Sequence, residues 1–273
     1  MNTTDHPAIP PILLVGGGKM GGAMLAGWRE RGLAPSVLVD PAPNAAALAG
    51  PDLRVVTDAA AIDADFAPAA VVLAVKPQNA AAVLPAYARF AGRAVFLSIM
   101  AGRTIAGMAA LLGPNAAVVR AMPNTPAAVR QGITVFCPGP GVAAAETALC
   151  RRLLEAIGAV EMVTEEALLD PVTAVSGSGP AYVFLLAELL EQAALRQGLP
   201  AGLARALARQ TVAGSGALLA ASAEDAASLR KAVTSPGGTT QAALSVLMAE
   251  DAWPATLERA VAAATRRSQE LAG

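Results

Sequence analysis

The chain has 273 residues, 55% of them hydrophobic and 15% charged, with a formal net charge of -1. That length accommodates one large or two ordinary domains, and the apolar excess suits a heavily buried protein that also buries surface between subunits. Nearly balanced charge leaves no basic footprint for nucleic acid, and two cysteines (Cys137, Cys150) with one histidine (His6) are too few for a disulfide framework or a zinc site, so no metal is expected.

In chain order, Met1 to Pro11 reads as a polar leader, expected to be mobile and lacking the pattern of a secretory signal. Ile12-Leu-Leu-Val15 follows as a buried parallel strand. Gly16, Gly18 and Gly21 then fit the G-x-G-x-x-G spacing of a dinucleotide-binding turn. The first glycine allows the tight turn, the second lets backbone approach a pyrophosphate, and the third lets the next helix lie close to the strand. That helix, from about Lys19 to Arg31, would aim its N-terminal amides at the phosphates. Glycines so spaced also serve as plain strand-to-helix punctuation; the strand before them and the helix after favour the dinucleotide.

From Ile12 to about Val163, short β-rich runs alternate with alanine-rich helical stretches. The runs are Ser36 to Asp40, Leu53 to Val56, Ala70 to Val75, Ala94 to Ser98, Ala116 to Arg120 and Ile133 to Phe136. This alternation predicts a Rossmann-type, doubly wound and mostly parallel sheet, with ligands bound outside the carboxyl ends of its strands. Strand two ends at Asp40, and the Pro41-Ala-Pro-Asn44 turn after it holds no lysine or arginine. Asp40 is either an acceptor for the adenosine ribose 2′-OH, which makes NADH usable, or a simple turn residue. Strand four runs into Ala74-Val75-Lys76-Pro77, where Lys76 either meets the cofactor or is solvated. Strand five ends in Ser98-Ile-Met100-Ala101-Gly102, small residues where backbone can approach a ligand. Beyond strand six, Pro123 and Pro126 fix a loop that holds Asn124 at the mouth of the sheet, read as a functional position.

After about Val163 the strand signal disappears. Helices are expected over Glu165 to Val175, Pro180 to Gln197, Leu199 to Ala220, Ala223 to Val233, Thr239 to Ala249 and Trp253 to Leu271. Apolar residues cover most of the Tyr182 to Leu195 helix, as in a helix buried on several sides at a subunit interface. Glu188 and Glu191 interrupt the stretch Ala181 to Leu195, so no membrane span is expected, and a cytoplasmic enzyme is the default. Two glycine-rich segments, Ser176-Gly-Ser-Gly-Pro180 and Val233-Thr-Ser-Pro-Gly-Gly-Thr-Thr240, each precede a helix. Either alone reads as ordinary N-capping; together they suit a small carboxylate substrate.

These motifs, with Met122-Pro-Asn-Thr-Pro126 and Thr173-Ala-Val-Ser-Gly-Ser-Gly-Pro-Ala181, stand in the order seen in pyrroline-5-carboxylate reductase, which the chain resembles from about Ile12 to Leu271. The resemblance implies a Rossmann domain over residues 1–163 and an all-α substrate and dimerisation domain over 164–273. It implies reduction of 1-pyrroline-5-carboxylate to L-proline with NADP or NAD as cofactor, by a homo-oligomer that is a dimer or a pentamer of dimers. It puts the cofactor on Val15, Gly16, Gly17, Gly18, Lys19 and Met20, on Ala74, Val75, Lys76 and Pro77, and near Met100 and Ala101. It puts the substrate carboxylate at Ser235 and the amides of Gly238 and Thr239, the Thr240 hydroxyl close to the ring nitrogen as the catalytic group, and Glu166 near the substrate, contributed by the partner subunit. The chain departs from the family at Asp40-Pro-Ala-Pro, where many members place serine, asparagine or arginine, and at Ala59, where many place asparagine; both call an NADPH preference into question. Other readings are a related nicotinamide-dependent imine reductase, a 2-hydroxy acid dehydrogenase, or a cofactor-binding homologue without turnover. The dehydrogenase needs a basic group, and the helical half has no histidine and only Lys231.

Overall fold

A computed structural model of the chain describes residues 8–272. Its elements are β1 (Ile12–Val15), α1 (Lys19–Glu30), β2 (Ser36–Val39), β3 (Leu53–Val56), β4 (Ala70–Leu73), the single turn α2 (Ala80–Val83), β5 (Val95–Ser98), α3 (Ile105–Leu112), β6 (Val118–Met122), β7 (Gly132–Pro138), α4 (Ala144–Leu154) and β8 (Gly158–Met162). There follow α5 (Leu169–Val172), α6 (Gly179–Arg196), α7 (Ala201–Ala221), α8 (Ala226–Ala232), α9 (Thr239–Leu247) and α10 (Trp253–Ala272).

One eight-stranded sheet runs in the order β3-β2-β1-β4-β5-β6-β7-β8. The inner strands β1, β4 and β5 are buried along their whole length because both faces of the sheet are covered there. Ile12 and Leu14 join a core with Met24, Leu25 and Trp28 of α1 and Leu153 and Leu154 of α4. Leu13 and Val15, pointing the other way, pack with Leu84, Tyr87, Phe90 and the α3 residues Ile105 and Met108. The sequence order reverses between β1 and β4, which leaves a crevice at their carboxyl ends.

β1 to β6 are parallel, as the alternating pattern predicts, whereas β7 is antiparallel to β6. The linking residues 123–131 hold only the 3-10 turn Thr125–Val129, too little chain for a parallel crossover. β8, which the sequence reading does not anticipate, pairs parallel to β7 as a partly exposed edge strand. The leader is not loose up to Pro11: Ile9 is fully buried and its amide donates to the Gly32 carbonyl at 2.9 Å. His6 lies outside the described residues.

The chain divides into two compact units: residues up to Gly177 together with the stretch from Ala264 onward, and Ser178–Ala263. The break falls later than the change of sequence character at Val163, because Leu169 on α5 still belongs to the core of the sheet. Helical backbone runs from Glu166 to Arg196, passing from a 3-10 turn through α5 to a π turn (Thr173–Gly177) and then α6. The Thr173 and Ser176 hydroxyls donate to the Leu169 and Val172 carbonyls, local bonds that compete with regular α geometry. The run is 31 residues long and contains an 18-residue stretch of mean hydropathy 1.3. It reaches the length and composition of a membrane span, which the shorter stretch Ala181–Leu195 does not suggest.

In the second unit only Ala204 and Ala208, among the described residues, are buried, while Phe184, Leu185, Leu218, Val246 and Trp253 are exposed by about half or more. α6, expected to be covered on several sides, has no buried residue within the single chain. Both cysteines are buried, and burial pushes the Cys150 thiol up to about 12, so they sit in the core as unreactive thiols.

Arg29 on α1 grips Asp52, just before β3, through two bonds of 2.8 and 3.0 Å, and the same guanidinium donates to the Leu48 carbonyl at 2.7 Å. The hydrogen bond from Arg29 holds the Asp52 carboxyl below its ordinary pKa. A depressed folded-state pKa contributes stability above the unfolded value of about 3.9 and loses it as pH falls through the folded value. Asp52→Asn is therefore expected to lower Tm at neutral pH by roughly 2–4 °C, for a partly exposed pair contributing about 1 kcal/mol. The gap to wild type should close in acid, as read by paired thermal melts across pH.

Candidate active site

A cleft of about 530 Å³ opens at the carboxyl ends of β1, β2, β3 and β4. Its walls include Val15, Gly16, Gly18, Asp40, Thr57, Asp58, Ala74, Val75, Lys76 and Tyr87. Gly16 turns the chain at φ +100, where a Cβ would stand 2.7 Å from the Ala74 carbonyl oxygen. At Gly21 a Cβ would run into the Gly16 carbonyl, so glycine there sets how closely α1 lies against β1. Gly18 differs from both: a Cβ would meet nothing within 4 Å. No contact inside the chain demands glycine at that position. It is bare on the side of the cleft, and it is the N-cap of α1, with no side-chain cap and no acid in the first turn. The helix therefore presents free amides and the positive end of its dipole to an anion. Backbone, charge and open space all fit a dinucleotide pyrophosphate.

Asp40 is held between two amides: its Oδ2 accepts from Gly17 N at 2.6 Å and its Oδ1 from Ala42 N at 2.8 Å. The carboxylate thus stands fixed at the cleft wall beside the glycine turn. Asp58, whose Oδ1 accepts from Ala60 N at 2.7 Å, adds a second acid to the same lining, and Lys76 is the cation there. Tyr87 is buried beside them; burial, and then the Asp58 charge, push its phenol up to about 12, so it stays a neutral hydroxyl.

The other residues expected at the cofactor stand outside this lining. Lys19 is exposed on the first turn of α1, and Met20 packs against the core beneath it. Pro77 opens a 3-10 turn, and its carbonyl accepts from Arg103 Nε at 2.9 Å. Met100 is buried in the core, its amide donating to Ser98 Oγ at 3.2 Å, next to exposed Ala101.

In the second unit, Ser235, Gly238, Thr239 and Thr240 come together in one turn at the N-terminus of α9. Gly237 adopts φ +73 and its amide donates to Gln241 Oε1 at 2.5 Å. The Gly238 amide, expected to face a carboxylate, donates instead to the Ser235 carbonyl at 3.1 Å and closes the turn. Gly238 caps the helix without a side-chain bond, so the Ser235, Thr239 and Thr240 hydroxyls are not spent on capping it. The other glycine-rich segment, Ser176 to Pro180, is no free helix start; the π turn runs through it into α6 with a bend at Ser178.

Residues 166–271 match the family described as pyrroline-5-carboxylate reductase dimerisation, and residues 11–102 match the NADP oxidoreductase, coenzyme F420-dependent family. The chain is 39% identical over 270 residues to a pyrroline-5-carboxylate reductase of Pseudomonas aeruginosa, covering 96% of this chain and 97% of that protein. A Synechocystis enzyme of the same name is 39% identical over 264 residues, covering 94% and 97%. This chain belongs to the pyrroline-5-carboxylate reductase family. Among solved structures, a pyrroline-5-carboxylate reductase from Coxiella burnetii superposes with a TM-score of 0.89 at 30% identity, over 97% of this chain and 99% of that one. A Plasmodium falciparum pyrroline carboxylate reductase with NADP bound gives 0.81 at 26% identity, over 97% and 99%.

Within that family frame, Glu166 has a structural duty in its own chain: Oε1 accepts from Ile105 N at 2.8 Å and from Arg120 Nη1 at 3.0 Å. Asn124 is likewise engaged, its Oδ1 accepting from Ile133 N at 2.9 Å to tie the loop to β7. Sequence reasoning missed Thr57, Asp58 and Tyr87. The first two follow β3 and were open to the rule that found Asp40; Tyr87 sits in a 3-10 stretch among alanines and carries no such signal.

The two glycines allow a clean separation. Gly16→Ala should destabilise the fold by about 1–3 kcal/mol, from strained φ and contact with Ala74. Gly18→Ala should leave the melting temperature unchanged and weaken cofactor binding roughly tenfold, by putting a methyl group where a phosphate approaches. Melting curves with fluorescence titration of the reduced cofactor check both; a Gly18→Ala protein that binds like wild type removes Gly18 from the cradle.

Proposed function

We propose that this chain catalyses the NAD(P)H-dependent reduction of 1-pyrroline-5-carboxylate to L-proline, the closing step of proline biosynthesis. The observation that carries the reading is the bare glycine edge at Gly18, in a chain whose helical half also offers a hydroxyl-lined turn at 235–240. When bound, the reduced nicotinamide supplies a hydride to the imine carbon, and the oxidised cofactor is released. The amides at the start of α1 would hold the pyrophosphate, and Val15, Gly16, Gly17, Lys19, Met20, Ala74, Val75, Lys76, Pro77, Met100 and Ala101 would hold the rest of the cofactor. Ser235 and the Thr239 amide hold the substrate carboxylate. Glu166 stands near the substrate as a positioning residue. Thr240 orients the ring nitrogen and relays to it, from water, the proton that balances the hydride. An iminium is electrophilic by itself, so alignment supplies much of the rate and no strong acid is needed.

Asp40 and Asp58 support NADH over NADPH, since a 2′-phosphate would meet two carboxylates with one lysine to offset them. The exposed apolar residues of the helical unit support a homodimer, alone or gathered as a pentamer of dimers, and a second copy covers α6 in place of lipid. Two buried thiols agree with a cytoplasmic location.

Steady-state assays with racemic 1-pyrroline-5-carboxylate, beside a 2-keto acid control, test the reaction; turnover of the keto acid alone would overturn it. The ratio of kcat/KM for NADH to that for NADPH should exceed one and fall at least about tenfold in Asp40→Ser. A wild-type preference for NADPH would mean the acids do not face the ribose. Thr240→Ala should lower kcat by about tenfold or more with cofactor affinity unchanged. Light scattering on a sizing column, without detergent, should show a dimer or a multiple of it at micromolar protein.

A further inference from the structure

α10 begins in the helical unit and ends in the first unit, and its last turns meet the segment that links β5 to α3. Around Ser268 the helix is solvated: Arg266, Arg267, Gln269 and Glu270 are all exposed. Ser268 itself is 5% exposed, and its Oγ donates to Asp170 Oδ1 at 2.7 Å. The same Asp170 oxygen lies 3.8 Å from Arg120 Nη2, a guanidinium 5% exposed that also donates to Glu166. Glu166 accepts from the amide of Ile105, the first residue of α3 and the point where segment 99–104 ends. A second contact reaches the middle of that segment. Gly102 adopts φ +66 with its Cβ side against Leu271, so closely that a side chain there would stand 3.1 Å from the Leu271 Cβ. At its start the segment is tied by Ile99 N to the Leu73 carbonyl at 3.1 Å, and Arg103 carries the connection on to Pro77.

We propose that the end of α10 is a clasp that sets the main chain of residues 99–104 for the cofactor, with Ser268 and Leu271 as its positioning residues. The inference rests on the reading above that Met100 and Ala101 lie beside the cofactor. The physical case is that the middle of this segment, Ala101 and Gly102, has few side-chain constraints of its own. A small residue and a left-handed glycine leave the backbone there free to adopt several paths, and what selects one path is a charged network at one end of the segment and the end of α10 lying against Gly102 in the middle. Removing the Ser268 hydroxyl leaves a buried carboxylate short of a donor, and the relaxation passes through Arg120 and Glu166 to the start of α3.

The test uses the full-length wild type, Ser268→Ala, Ser268→Thr and a chain ending at Ser268, each checked for melting temperature and assembly mass. NADH affinity is read by fluorescence titration, and KM for NADH, KM for the imine and kcat by steady-state assay. Ser268→Ala is expected to raise Kd and KM for NADH by roughly three- to tenfold, with kcat within about twofold of wild type and a smaller rise in the KM for the imine. Ser268→Thr, which keeps the hydroxyl, should restore binding, and removal of Leu271 in the shortened chain should reproduce the loss. If the shortened chain does not fold, the single-hydroxyl variant decides. Wild-type NADH affinity in Ser268→Ala, with or without a lower melting temperature, overturns the clasp. Failure of the wild type itself to bind NADH or NADPH overturns the cofactor reading instead, and the clasp with it.

Discussion

The close approach of α1 to β1 is the constraint on which the rest of the first unit depends. With no side chain at Gly16 or Gly21, the helix lies against the turn that precedes it. Three consequences follow from that one contact. Met24, Leu25 and Trp28 reach the sheet and close one of its two cores. The Trp28 indole reaches the Leu153 carbonyl at 2.9 Å, so α1 and α4 cover the same face together. The start of the helix is also aimed into the crevice where strand order reverses, so the geometry that packs the core creates the place for an anion.

The acids of the cleft act through fixed position more than through number. Asp40 accepts from Gly17 on one side and Ala42 on the other, so its carboxylate is braced by the turn it helps to shape. A braced charge costs little reorganisation when a ligand arrives, and it discriminates between a hydroxyl that donates and a phosphate that repels. Asp58 is fixed in the same way by its own turn, through Ala60. Both acids of the cleft are thus held by main-chain geometry at the ends of β2 and β3.

What could be read from the sequence was whatever depends on neighbours in the chain. The buried runs Ile12–Val15 and Ala70–Leu73, the glycine turn and the acid at the end of β2 are all local patterns, and each stands where its pattern places it. Features that depend on distant partners were not legible. Ile9 looks like part of a loose leader until Gly32 and Leu33 are brought beside it. β8 carries too weak an alternation to announce itself and exists because β7 offers it an edge. The Gly238 amide and the Glu166 carboxylate resemble free ligand groups in a linear string; in the fold the first closes its own turn and the second joins Arg120 and Ile105. The hydrophobicity of α6 was visible, but among the described residues the single chain fully buries none of that helix.

That last feature bears on how the protein is made. A helical unit with two alanines as its only buried residues, among those described, leaves each exposed leucine short of the ~1.5–3 kcal/mol that burial would return. Its maturation is then a second-order event, limited by encounters between newly synthesised chains, and the waiting half is open to chaperones and proteases until a mate arrives. Dilution and a lowered expression level both lengthen that exposure.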